Sequence, residues 1–211
     1  VSIKFKSMTS LAKFKNEDCL EVGVDEAGRG PLFGRVYVGA AILAPDDSFE
    51  HSLMRDSKKL SERKRLIAYD HIREYAIDWA TYYHDAPVID EKNIFHATYD
   101  AMHKCLDKLN VVPEHILVDG NYFPIYYRDD YIPFTCVIKG DNTYTSIAAA
   151  SILAKVEHDK YIEKMCDEHP TLDEYYGLKS NKGYGTKQHM EGIKTYGVSE
   201  WHRKSFAPCR G

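Results

Sequence analysis

Asp25-Glu26-Ala27-Gly28-Arg29-Gly30-Pro31 closes a short apolar run from Leu20 to Val24. Adjacent carboxylates at a strand end are hard-cation ligands suited to Mg²⁺ or Mn²⁺. The glycines let bare backbone approach a substrate, because no Cβ stands in the way. Arg29 between them can offer a phosphate a fixed fork of donors. Metal ligands, bare backbone and a guanidinium so close together suit a phosphodiester. By itself the same stretch also reads as an exposed acidic turn after a strand.

Outward from this stretch, Val22–Asp25 and Val36–Leu43 read as strands, and the glycine-rich turn Gly28–Gly34 predicts that they pair as a hairpin with a long loop. Ser61 is placed to cap a helix over Ser61–Ala76, with apolar spacing at Leu66, Ile67, Ile72 and Ala76. A third strand is expected over Ile77–Tyr83 and a helix over Asp90–Leu109. Strands follow at His115–Asp119 and Pro133–Ile138, then a long helix from Thr145 to His169 ended by Pro170, and a last helix at Lys187–Tyr196 stopped by Gly197. Early strands followed by strands alternating with helices give an α/β sheet of mixed pairing, whose strand order periodicity does not supply. Three segments end a strand with acid: Asp25 with Glu26, Asp119, and Asp141. Strand ends gather at one edge of such a sheet, where ligands bind. Each acid alone reads as a solvated surface group, but the four together would repel strongly unless a divalent cation neutralised them.

The 211 residues suffice for one domain with a substantial core, and 44% hydrophobic with 28% charged residues is ordinary globular composition. No apolar run approaches the roughly 20 residues that span a bilayer, and the first 15 residues hold four lysines without a signal-peptide core. Five scattered cysteines with no CxxC favour reduced thiols in a cytoplasmic setting and argue against a zinc site. Net charge is −4, yet Arg55–Arg65 carries six basic and two acidic residues, and Lys179–Gly211 seven basic and two acidic. Such local basic faces can bind phosphates on an acidic molecule, although solvated helical faces would look the same.

Six segments in order resemble the ribonuclease HII (type 2 ribonuclease H) family: DEAGRGP at Asp25–Pro31, DSKKLSERKR at Asp56–Arg65, LVDGN at Leu117–Asn121, IKGDNTYTSIAAASILAKV at Ile138–Val156, GYGTKQH at Gly183–His189 and HRKSFAPC at His202–Cys209. The resemblance runs from about Glu21 to Pro208. It implies a ribonuclease H-like mixed sheet flanked by helices, with a C-terminal helical substrate-binding region. Residues 21–211 would form a single catalytic domain behind an N-terminal extension, 1–20. It implies an endoribonuclease that hydrolyses the RNA strand of RNA–DNA hybrids and incises duplex DNA 5′ to embedded ribonucleotides, leaving 5′-phosphate and 3′-hydroxyl ends. Asp25, Glu26, Asp119 and Asp141 match the carboxylates that bind two divalent ions, Mg²⁺ or Mn²⁺. The family's reader of the 2′-hydroxyl falls on Gly28, Arg29 and Gly30, and the ring stacked on the sugar at the RNA–DNA junction on Tyr184. Lys58, Lys155 and Lys182 are further candidates for phosphate contact, with Ser57 and Thr186 as hydroxyl donors. Asp159 would support the site or simply pair with Lys155.

Three departures stand out, the first being Tyr37 and Gly39 in a strand more often filled by small aliphatic residues. His158 takes the place of the arginine that usually precedes Asp159, which puts one supporting ion pair in doubt. There is no sliding-clamp motif of the Gln-x-x-aliphatic-x-x-aromatic-aromatic kind, since the single glutamine, Gln188, does not begin one. A monomer without membrane contact is expected. Rival readings are a ribonuclease H-like nuclease acting on DNA, disfavoured by the GRG turn and Tyr184, and a nucleic-acid-binding subunit with a decayed site, disfavoured by the presence of all four acids.

Overall fold

Strand β1 (Glu21–Ala27) pairs antiparallel with β2 (Val36–Ile42), which is the hairpin expected across the glycine-rich turn. The computed structural model describes residues 10–210, so positions 1–9 of the expected N-terminal extension, and residue 211, lie outside the described residues. Helix α1 (Glu62–Tyr75) starts at Ser61, whose hydroxyl accepts from Lys64 N. Strand β3 (Asp78–His84) follows, then α2 (Ala86–Asp107) and β4 (His115–Asp119). A small hairpin, β5 (Tyr127–Arg128) and β6 (Asp130–Tyr131), precedes β7 (Phe134–Val137). The chain ends in helices α3 (Thr145–Glu168), α4 (Thr171–Tyr176), α5 (Leu178–Asn181) and α6 (Lys187–Tyr196).

The sheet order is β3-β2-β1-β4-β7. The hairpin strands pair antiparallel, and β1–β4 and β4–β7 pair parallel, so the sheet is mixed as expected. Helix α2 begins four positions before its expected start because Asp85 and Pro87 open an earlier turn. That turn meets the main helix at Asn93, which has φ 62° and whose side chain accepts from His96 N. Helices α4 and α5 are too short to show a period in sequence.

Alternation along β1 and β2 decides which helix each residue meets. Val22, Val24, Val38, Ala40 and Ile42 pack with Met102, Cys105 and Leu106 of α2. The other face carries α1 and α3, with Ala41 against Ala148, Ala149, Ile152 and Leu153. Gly23 and Gly39 point to that second face, where α3 comes close enough that no side chain fits. A Cβ on Gly23 would lie 2.1 Å from the Ser146 carbonyl carbon, and one on Gly39 would lie 2.2 Å from Ala150 O. The obstacles are backbone, so they cannot rotate away. Gly23→Ala is expected to destabilise the protein by about 3 kcal/mol or more, at the upper end of overpacking effects. A denaturant midpoint unchanged from the parent would contradict that close approach.

Beyond the sheet, the second half of α3 joins α4, α5 and α6 around Phe33, Ile162, Leu172 and Leu178. Two buried histidines cross this region, with His189 Nε2 and His202 Nε2 3.0 Å apart. Their tautomers are fixed by their other partners. His189 Nδ1 donates to Tyr184 O, so its Nε2 accepts from His202 Nε2–H, and His202 Nδ1 accepts from Ser199 N and Ser199 Oγ. Burial, and then the neighbouring His189, push His202 down to about 4. The unfolded chain takes up this proton near pH 6.5 and the folded one does not. Stability from this group is therefore full above 6.5 and is lost as pH falls toward 4. His202→Gln keeps a donor and an acceptor but cannot titrate. Between pH 7 and 4.5 it is expected to lose about 2 kcal/mol less stability than the parent, and parallel pH profiles would refute this.

Candidate active site

The ends of β1 and β4 and the turn before α3 bring the acids together. Asp25 ends the buried part of β1 and is paired in register with Gly39. Asp119 is the last residue of β4, beside β1. Asp141 sits in a short 3-10 turn, Gly140–Asn142, between β7 and α3. These and Glu26 line one cleft of about 400 Å³. A larger groove, about 760 Å³, runs between Ser10–Lys13 and Phe49–Lys59, but it contains none of the four acids.

Each carboxylate has a hydrogen bond that aims it. Asp25 Oδ1 accepts from Glu26 N at 2.7 Å, and the Ser151 hydroxyl also bonds to the carboxyl. Asp119 Oδ1 accepts from Gly140 N at 2.6 Å. Asn142 Nδ2 bridges Asp141 Oδ1 at 3.0 Å and Asp56 Oδ2 at 3.2 Å. Glu26 Oε1 meets Arg29 Nη1 at 3.3 Å. Burial, then the charges of Glu26 and Asp119, hold Asp25 well above the usual carboxylate range. Burial raises Glu26 too, against the pull of Arg29, and it raises Asp119 and Asp141. Four oxygen-only acids that resist ionising side by side are the donor set a hard divalent cation would neutralise. Among the described residues no three Asp, Glu, His or Cys side chains stand together as a ready-made ligand shell. Hydrogen bonds turn individual oxygens toward Gly140, Asn142 and Arg29 instead.

The GRG turn lines the same cleft. Gly28 has φ +87°, and a Cβ there would lie 2.6 Å from His158 Cδ2. Gly30 lies under the Tyr184 ring, whose Cε1 would stand 3.2 Å from an added Cβ. Tyr184 is half exposed. Arg203, fully buried, donates from below to five carbonyls, those of Gly28, Arg29, Pro31, Gly34 and Arg35, at 2.6–3.0 Å.

Ser57, Lys58 and Lys155 also line the cleft. The Ser57 hydroxyl is buried 3.0 Å from the Ser151 hydroxyl. Lys155 pairs with Asp159 at 2.8 Å, and Arg65 approaches Asp159 at 3.5 Å. Burial works against ionisation of Asp159, but hydrogen bonds from His158 and Lys155 outweigh it and keep the carboxyl below its ordinary range. His158 Nδ1 stands 3.2 Å from Asp159 Oδ1, and among the described residues its buried Nε2 has no hydrogen-bond partner. Lys182 and Thr186 stand outside the cleft lining. Lys182 pairs with Glu163 at 2.8 Å, and the Thr186 hydroxyl caps α6 by accepting from His189 N. Sequence reasoning missed Asp56, Asn142, Ser151 and Arg203. All four lie within the family-like segments, and an acid opening a basic run was the available signal for Asp56.

The family model described as Ribonuclease HII matches residues 22–209. The ribonuclease HII of Bacteroides thetaiotaomicron is 44% identical, over 93% of this chain and 94% of its own length. That of Neisseria meningitidis is also 44% identical, over 90% and 94%. Among solved structures, ribonuclease H2 from Pyrococcus horikoshii superposes with a TM-score of 0.73 at 24% identity, covering 90% of this chain and 95% of that one. Bst-RNase HIII in complex with Mn²⁺ gives 0.67 at 20% identity, covering 96% and 70%. At such identities the structures speak for the ribonuclease H-like fold, while the sequence relatives and the family model span nearly the whole chain. The chain belongs to the ribonuclease HII family.

Proposed function

We propose that the cleft performs the family's hydrolysis with Asp25, Glu26, Asp119 and Asp141 as the holders of two divalent ions, Mg²⁺ or Mn²⁺. Family membership makes the chain a metal-dependent endoribonuclease that cuts the RNA strand of RNA–DNA hybrids. The observation that carries the site reading is the meeting of four acids from three distant segments in one cleft with the GRG turn and Tyr184. When bound, the ions would supply an activated water and neutralise charge on the leaving 3′ oxygen.

The chain's own residues do the rest. Burial and mutual repulsion keep the acids ready for cations. The bare backbone at Gly28–Gly30 can approach the 2′-hydroxyl, the group that separates RNA from DNA. Tyr184, over Gly30, would stack on the adjoining sugar, which suits incision at a single ribonucleotide embedded in DNA. Lys58 would meet phosphate directly, and Lys155, steadied by Asp159, would add positive charge. Lys182 would contribute at the rim after exchanging Glu163 for phosphate. No helix among the described residues is long and apolar enough to cross a membrane. A monomer acting in the cytoplasm is part of the same proposal.

Asp25→Asn tests the assignment through two readouts. Cleavage in saturating Mg²⁺ or Mn²⁺ is expected to fall about a thousandfold or more, since several kcal/mol of charge stabilisation are removed. In excess chelator the variant is expected to melt above the parent. A carboxyl whose folded pKa is raised favours the native state only at low pH, and that support is lost as pH rises through the raised value. At neutral pH the four charges thus oppose folding, and removing one relieves the others. Near-parental turnover would sink the assignment.

Binding to a hybrid is expected to weaken with salt despite the net charge of −4. Lys58→Glu should lower the slope of log affinity against log salt by about one, as for one lost phosphate contact. Lys182→Glu should lower it less, because Lys182 first has to leave Glu163. An unchanged slope for Lys58→Glu would put that residue off the binding face.

A further inference from the structure

We infer that His202 and Arg203 are positioning residues that lock the GRG turn and Tyr184 into one unit, so that detection of the 2′-hydroxyl and stacking on the neighbouring sugar occur in a fixed register. The inference rests on the reading of Gly28–Gly30 and Tyr184 given above, and extends it to residues that touch neither substrate nor metal.

The geometry begins with the backbone. Phe33 and His202 form an antiparallel bridge, with Arg203 N donating to Leu32 O at 2.9 Å and Gly34 N to Trp201 O at 2.9 Å. On the other side, Leu32 N donates to Gly183 O at 2.8 Å. Residues 32–34 therefore lie between the Tyr184 loop and the C-terminal segment. Neighbours in extended chain point to opposite sides, and here the two sides are the two halves of the reader.

Arg203 reaches the GRG turn. Its guanidinium and Nε meet five carbonyls, all within residues 28–35. Carbonyls turned inward to one cation leave the outer surface of the turn bare, which is the surface a ribose would approach. Lysine could not repeat this, because its single ammonium lacks the planar fork. His202 reaches the other half. Its Nε2–H bonds to His189, and His189 Nδ1–H bonds to the carbonyl of Tyr184 itself. Ser199 fixes the far nitrogen of His202 from both its N–H and its hydroxyl. Every ring nitrogen in this relay has a partner, and only one tautomer of each histidine satisfies all of them. Tyr184 and Gly30 then meet across the cleft mouth, ring against Cα.

The test compares kcat/KM on two substrates, duplex DNA with one ribonucleotide and a continuous RNA–DNA hybrid, at one Mg²⁺ and salt concentration. The proteins are the parent, Tyr184→Ala, His202→Leu, His202→Gln and the double variant Tyr184→Ala/His202→Leu. Amide hydrogen exchange is followed in peptides covering residues 28–34 and 182–187. His202→Leu is expected to lose about tenfold on the single ribonucleotide, the scale of one hydrogen bond or stacking contact, and clearly less on the hybrid. His202→Gln, which restores a donor to His189 and an acceptor for Ser199, should stay close to the parent. The double variant should lose no more than Tyr184→Ala alone, because residues acting through one another are not additive. Exchange should rise in both peptides together.

Equal losses of His202→Leu on the two substrates, multiplied losses in the double variant, or faster exchange confined to one peptide would overturn the inference. Should His202→Leu not fold, Ser199→Ala removes one donor to His202 and is judged by the same paired exchange. An equal loss of Tyr184→Ala on both substrates would instead refute Tyr184 as the junction ring, while the exchange data would still decide whether the two segments move as one.

Discussion

Helix α3 rests directly on the backbone of β1 and β2, and the catalytic cleft is laid out from that contact. Gly23 and Gly39 leave no side chain beneath the helix, so Ser146 and Ala150 sit on the strands themselves. Asp25 is two residues past Gly23 on the same face and opposite Gly39 in register. Ser151, next to Ala150, can therefore reach its carboxyl. One and two turns further along the same helix stand Lys155, then His158 and Asp159. At its start the preceding turn holds Asp141. A helix riding a full side-chain layer higher would carry these groups away from β1 together.

Much of this layout was legible in the sequence because the informative residues act locally. Ser61 marks a helix start through its hydroxyl and Gly197 a helix end through its backbone, and β4 and α6 fall on the expected residues. Strand order needs pairings that no local pattern encodes, and α2 is masked by the break at Asn93. The same distinction runs through the site. Asp25, Glu26 and Asp119 announce themselves at strand ends, whereas Asp141, expected to end a strand, sits in the turn after β7; the four meet in one cleft with the GRG turn, Lys58, Lys155 and Tyr184. Arg203 could not be read that way, since its partners lie 168 to 175 residues away. Nor could the engagement of Lys182 with Glu163, which depends on how α3 and α5 pack.

Charge in the site is arranged by proximity, not by net composition. Acids dominate one side of the cleft, and basic residues near it are steadied by further acids, as Lys155 and Arg65 are by Asp159. His158 shows what replacing an arginine does at such a point. It retains one contact to Asp159 and leaves its second nitrogen buried against Gly28 without a hydrogen-bond partner among the described residues. Burial keeps the ring neutral, against the pull of Asp159. The neighbouring carboxyl thus depends on Lys155 and Arg65 for charge.

The order in which the chain is made gives the Arg203 contacts a temporal meaning. During translation the segment 28–35 leaves the ribosome well before the side chain that gathers its carbonyls, 168 to 175 residues further along, is added. Before then only water can satisfy those five oxygens, and the turn has no reason to keep one shape. The acids of β1 and β4 can assemble with the nascent sheet, but the turn at Gly28–Gly30 cannot yet be held by Arg203. A growing chain can thus form its sheet before Arg203 is present to shape the turn at residues 28–35.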